Sequence, residues 1–223
     1  MDNKTEKRLV PFKKIIFLDI RDKQCNIPDI PDKEKKMFYS DLKKKGFYNG
    51  CLNSVLNYNL EDNVLKIDSG KTDFFDLVLS KEINQNTSPA LAVNAVIETD
   101  NHIVFITRGK EVYSYKGGID FPAGLVPYNE PILDRLKDRI RSDTKLNGNE
   151  LTIGEIIPCA IIENNAAFNL FYNVKYNGSK NKLEDFFYKN FNSKKPFLVK
   201  KSEVSTFFKE MNKPVFFEIL NFI

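Results

Sequence analysis

Arg139, Ser142 and Asp143 stand at positions i, i+3 and i+4 of a stretch with helical periodicity, a spacing that sets three side chains on one helix face. Three carboxylates so placed offer oxygen ligands to a hard divalent cation such as magnesium or manganese. A metal held there neutralises phosphate oxygens and activates water for attack on phosphorus. Here only Asp143 is a carboxylate. Arg139 puts a guanidinium on the same face, and a cation there repels a divalent metal. The same spacing lets Arg139 and Asp143 pair with each other.

Other residue types narrow the chemistry. His102 is the sole histidine and falls in an expected turn, which argues against histidine acid–base or triad catalysis. Arg108 closes an expected strand, as a surface arginine or as a group facing an anion. Glu163 reads first as a charge flanking a turn. Cys25, Cys51 and Cys159 are scattered and form no CxxC pair, so they read as reduced, mostly buried thiols rather than a zinc site or disulfide framework.

Composition sets the class. The 223 residues suffice for a sizeable core, and 42% are hydrophobic. There is no Trp, but there are 19 Phe and 9 Tyr, so Phe must supply much of the bulky packing. A net charge of +4 lacks the dense basic stripe of a nucleic-acid binder, so no nucleic-acid partner is expected. No apolar run approaches the roughly 20 residues that span a bilayer. The charged start, Met1 to Arg8, lacks a signal peptide's apolar stretch. The expectation is a cytoplasmic protein with no membrane partner.

The elements that must position these residues follow from pattern. Ile15 to Leu18 suits a buried strand, and Asp32 can cap a helix through Leu42. Strands around Cys51–Tyr58 and Val64–Ile67 flank a hairpin turn at Glu61-Asp62-Asn63. Thr72 can cap a short helix, Asp73 to Leu79. The polar stretch Glu82 to Pro89 is the best boundary, giving an extension at 1–86 and a domain at 87–223. Ala90–Glu98 and Ile103–Thr107 form a second hairpin. A glycine-bearing segment, Lys116 to Gly124, leads to a helix from Glu130 to Asp143 with Asn129 as cap. Its apolar stripe is Ile132, Leu133, Leu136 and Ile140, with Asp134 and Asp138 as solvated charges. Strands Ile153–Ile162 and Phe168–Tyr176 follow, then helices at Leu183–Phe191, Ser202–Met211 and Pro214–Phe222. This order predicts an α+β fold on a mixed β-sheet.

The segment from Phe121 to Leu146 resembles the box of the Nudix hydrolase superfamily, G-x5-E-x7-R-E-U-x-E-E-x-G-U with U aliphatic. Gly124 and Glu130 match its first fixed positions, and Ile140 and Leu146 match its two aliphatic ones. The approach through Arg108, Val112, Gly117-Gly118 and Phe121-Pro122-Ala123-Gly124 is similar too, as is the later hairpin at Glu163-Asn164-Asn165. The remaining positions depart. Asp138-Arg139 replaces Arg-Glu, Ser142-Asp143 replaces Glu-Glu, and Lys145 replaces the last glycine.

The resemblance implies an α/β/α sandwich around the mixed sheet, with a small β-rich extension before it. It implies a structural box of Gly124, Glu130, Ile140 and Leu146, with Glu130 bracing the loop–helix junction. It implies a ligand groove at Arg108, Ala123, Gly124 and Arg139 for a nucleotide-like small molecule. Phe47-Tyr48-Asn49-Gly50 and Thr72-Asp73-Phe74-Phe75-Asp76 are similar to the extension of a branch that includes UDP-sugar pyrophosphatases. That points to a nucleoside diphosphate linked to another group.

Three functions compete. A binding module would hold such a compound, or a protein partner, without standard hydrolysis and with no cofactor. An active pyrophosphohydrolase would rebuild its magnesium or manganese site from Asp143 together with Glu130, Asp134, Asp138 or Glu163, the last of which could also serve as a distant base. A structural or assembly protein, homo-oligomeric or partnered, would use a Phe-rich surface.

Overall fold

The computed structural model describes residues 14–85, 87–109, 117–164, 167–192 and 196–211, with backbone alone for 14–22, 60 and 158–164. The expected α+β class with a mixed sheet holds. The chain forms two compact units, each discontinuous in sequence. The first takes the chain up to Val93 with Leu125–Ile132 and Pro158–Leu170; the second takes Asn94–Gly124, Leu133–Ile157 and the chain from Phe171.

In the first unit β1 (Lys14–Gln24) runs parallel to β3 (Val64–Asp73), with Ile15 opposite Leu65. β3 pairs antiparallel with β2 (Cys51–Glu61), so parallel and antiparallel ladders meet in one sheet. The β2–β3 turn lies where the sequence puts it. Asp62 and Asn63 have φ of 51° and 62°, the left-handed pair that a two-residue hairpin requires. Helix α1 (Asp32–Lys44) precedes β2, and α2 (Phe74–Glu82) follows β3. Leu52, Leu77 and Ala90 form a buried cluster, with Phe74 and Leu125 packed on it.

Three local expectations change. Asp32 is the first residue of α1 rather than its cap; Pro31 holds that place without a side-chain bond. Thr72 lies within β3, buried, and Asp73 is the residue ahead of α2. Thr72 Oγ1 instead accepts from Asn26 Nδ2 at 3.1 Å, a tertiary bond that outweighs local capping. Cys51 is exposed, whereas Cys25 is buried as expected. Asn26 also fastens the polar stretch before Pro89: its Nδ2 donates to Ser88 O at 2.8 Å and its Oδ1 accepts from Ser88 N at 2.7 Å.

Strand β4 (Ala90–Glu98) gives its first residues to the first unit and its last to the second. In the second unit β5 (His102–Thr107) pairs antiparallel with β6 (Ile119–Asp120). Next along the chain come β7 (Ala123–Leu125), α3 (Ile132–Thr144), β8 (Leu151–Asn164), β9 (Ala167–Tyr176) and α4 (Lys180–Asn190), the end of β8 from Pro158 and the start of β9 to Leu170 being counted with the first unit. β10 (Phe197–Lys200) and α5 (Val204–Met211) follow. β10 was not expected from pattern; it pairs antiparallel with β5, Val199 opposite Ile103. His102 opens β5 opposite Lys200, rather than lying in the turn.

Phenylalanine does fill this core. The Phe105 ring lies 5.0 Å from those of Phe121 and Phe208, and Phe121 meets Phe171 at 6.2 Å. The expected helix at Pro214–Phe222 lies outside the described residues. No described helix is long and apolar enough to cross a membrane.

Candidate functional site

The chemistry-bearing residues of the second unit gather around β6, β7 and α3. The β5–β6 ladder sets Ile106 opposite Asp120 and Thr107 opposite Ile119, and Arg108 N donates to Gly118 O at 2.9 Å. Arg108 thereby comes beside Asp120, and its Nη1 donates to Asp120 Oδ2 at 2.5 Å. Asp120 is only 4% exposed, and its Oδ1 accepts from Phe121 N at 2.8 Å. Burial pushes its carboxyl above the ordinary 3.8; Arg108 and the Phe121 N–H oppose the rise, and the charge of Asp143 adds to it.

β7 follows directly. Ala95 N donates to Pro122 O at 2.8 Å, and β7 pairs with β4. This brings Gly124 under α3. A Cβ on Gly124 would stand 2.7 Å from Arg139 Cδ and 2.8 Å from Arg139 Cγ. No L-residue with a side chain fits there without moving Arg139, so the glycine is required by close approach. From that seat Arg139 Nη2 donates to Asp143 Oδ1, one helical turn on.

The two Arg–Asp pairs belong to one electrostatic neighbourhood, since the charge of Asp143 reaches Asp120. Among the described residues, three buried atoms of this cluster have no hydrogen-bond partner: Arg108 Nε, Arg139 Nε and Asp143 Oδ2. Each is a polar group removed from water without compensation, which is costly in a packed core and common where a ligand is to be held.

Helix α3 is amphipathic, but its buried face is Leu136, Ile140 and Thr144. Leu133, expected in the stripe, is 45% exposed. Asp134 and Asp138 are surface charges as expected, paired with Lys137 and Arg141 at 3.6 Å and 2.8 Å. Ile140 and Leu146 are buried. Lys145 has a φ of 62° and its N donates to Arg141 O at 2.9 Å. The left-handed helix end where the box has glycine is thus kept, with lysine in it.

The other expected residues lie as follows. Ala123 is half-buried on β7, next to Gly124. Glu130 lies two residues ahead of α3 rather than in its first turn, its N donating to Pro127 O at 3.1 Å. Asn129 takes a left-handed φ of 64° in that turn rather than capping the helix. Both belong to the first unit. Glu163 lies within β8, and its side chain, like Val112, is outside the described residues.

Asp120 was missed in the sequence. Its signal was a lone acid between Ile119 and Phe121, in an otherwise apolar stretch that ends in a glycine turn.

Among the described residues, the donors gathered around Arg139 do not fit magnesium or manganese. Each carboxylate of the cluster is bonded by a guanidinium. Among the described residues no three Asp, Glu, His or Cys side chains come together to hold a metal ion. A hard cation needs several free oxygens, and two resident positive charges oppose its entry.

No protein-family model and no curated protein matches this chain. Solved structures do. A mutT/nudix family protein from Listeria innocua is similar over 60% of this chain and 89% of its own, at 14% identity and TM-score 0.43. The Ap4A hydrolase of C. elegans is similar over 55% and 90%, at 13% identity and TM-score 0.39. An ADP-ribose pyrophosphatase from Streptococcus suis is similar over 58% and 81%, at 14% identity and TM-score 0.38. These are Nudix hydrolases, the family that the Gly124–Leu146 segment resembles.

Proposed function

We propose that the protein binds a nucleoside-diphosphate-linked compound and does not hydrolyse it in the metal-dependent manner of Nudix enzymes. One observation carries the reading. The residue at a metal-ligand position of the box is Arg139, and it bonds the one carboxylate left there, Asp143. Guanidinium groups suit phosphate oxygens; Arg139 lies against the glycine turn and Arg108 is tied to Asp120, each with a buried Nε that has no partner among the described residues. Calorimetry with a panel of nucleoside diphosphates and their conjugates, beside phosphate-release assays with magnesium and manganese, tests this. Binding without turnover is the expected outcome; clear metal-dependent turnover refutes it.

A second reading has its own observation. Asp120 and Asp143 are neighbouring carboxylates, and a substrate that drew the arginines away would leave them as a paired acidic site in a working hydrolase. Asp143→Ala then abolishes turnover; an unchanged rate rules this reading out.

A further inference from the structure

The mismatch between the donor set and a divalent ion has a positive counterpart. Arg139 is not loosely placed: it is seated on Gly124, where even a methyl group would collide with its Cγ and Cδ. Its Nη2 is tied to Asp143. Its Nε–H is buried and has no acceptor among the described residues. Arg108 repeats the arrangement, tied to Asp120 through Nη1 with a buried, unpartnered Nε. Each guanidinium is thus fixed by one edge to a carboxylate, and the cluster leaves two buried donors and one buried acceptor, Asp143 Oδ2, unmatched among the described residues. The missing complement offers acceptors for the two Nε–H groups and a proton for the carboxylate oxygen. A phosphate group that carries one proton is such a group: its bare oxygens accept from the guanidiniums and its P–OH donates to Asp143 Oδ2, whereas a divalent cation offers no acceptor at all.

From this, and resting on the binding function proposed above, we infer that Arg139 is a built-in replacement for the divalent ion: the site takes the diphosphate of its ligand directly onto Arg139 and Arg108, with no metal required. The seat on Gly124 matters because a guanidinium held in place loses less freedom on binding than one free in solvent.

The test is titration of ADP and of inorganic pyrophosphate into the full chain, once in EDTA and once in excess magnesium. The expected result is that ADP binds in both, within about twofold, and that Arg139→Gln weakens it at least about tenfold in EDTA. Thermal unfolding checks that this variant folds. If it does not, Arg139→Lys, which keeps the charge but loses the planar fork, must still weaken binding in EDTA. Binding of ADP only with magnesium or manganese overturns the inference and leaves the binding function standing. Binding in EDTA that neither substitution weakens also overturns it. No binding of ADP or pyrophosphate under either condition removes the binding function along with it. A metal arm needs no ligand: manganese titration followed by electron paramagnetic resonance should show no uptake by the native protein, whereas Arg139→Glu, which joins a third carboxylate to Asp120 and Asp143, should take up the ion. Manganese uptake by the native protein at the cluster, lost in Asp143→Ala, contradicts the inference.

Discussion

Arg139 lies against Gly124, so close that the missing Cβ of the glycine is what makes room for the arginine's Cγ and Cδ. The glycine of the β7 turn and the cation on the following helix are in this way one structural unit. Alanine at 124 puts a methyl carbon 2.7 Å from Arg139 Cδ. Gly124→Ala should cost about 1–3 kcal/mol, the usual penalty of overpacking. It should also loosen the Arg139–Asp143 pair. Urea unfolding measures the first effect and ADP titration the second; an unchanged affinity would mean that the seat does not matter for binding.

Asp120 is the buried member of the Arg108 pair, its side chain 3% exposed against 25% for Arg108. Asp120→Ala leaves a half-buried guanidinium without its carboxylate. The expected loss is about 3 kcal/mol, at the low end for breaking a buried pair because Arg108 retains some solvent. Chemical denaturation of the variant beside the native chain measures it.

Asp120 also gives stability a pH signature. Its carboxyl is raised above the ordinary 3.8 in the folded protein. The folded state therefore holds this proton more tightly than the unfolded one, and the group's contribution falls as pH rises from 3.8 through the folded value. Asp120→Asn removes that contribution. Unfolding free energies between pH 4 and pH 7 should decline more steeply with pH in the native protein than in the variant. Parallel curves would show that Arg108 cancels the effect of burial.

Lys145 occupies a left-handed helix end at a φ of 62° with its side chain exposed. Glycine there relieves backbone strain and removes no packing. Lys145→Gly should stabilise the protein by about 1 kcal/mol, read as a rise of a few degrees in Tm. A fall in Tm would mean that the lysine makes a contact worth more than the strain.

In the first unit, Tyr39 donates its hydroxyl to buried Asp76, which also holds Lys35 Nζ at 3.0 Å. Burial and the Asp76 charge push the tyrosine hydroxyl upward, so it stays a donor at any working pH. Tyr39→Phe should cost about 1–2 kcal/mol by leaving Asp76 with one partner fewer. Equilibrium unfolding reads this directly, and a neutral result would show that Lys35 alone satisfies the carboxylate.

The sequence alone determined what depends on near neighbours. The β2–β3 turn was legible because Asp62 and Asn63 tolerate left-handed backbone. The Arg139–Asp143 pair was legible because helical spacing puts one above the other. The α+β class and the phenylalanine core followed from periodicity and from the absence of tryptophan. Only the tertiary structure decided which distant groups meet. Arg108 reaches Asp120 because the β5–β6 ladder brings them alongside. Thr72 gives up a cap for Asn26, and four residues ending at Lys200 become a strand because β5 has an edge to offer. Arg139 rests on Gly124 because α3 packs down over β7. Local pattern fixes dihedral preference and facing, whereas pairing between remote segments is settled by packing the whole core at once, which no short window of residues encodes.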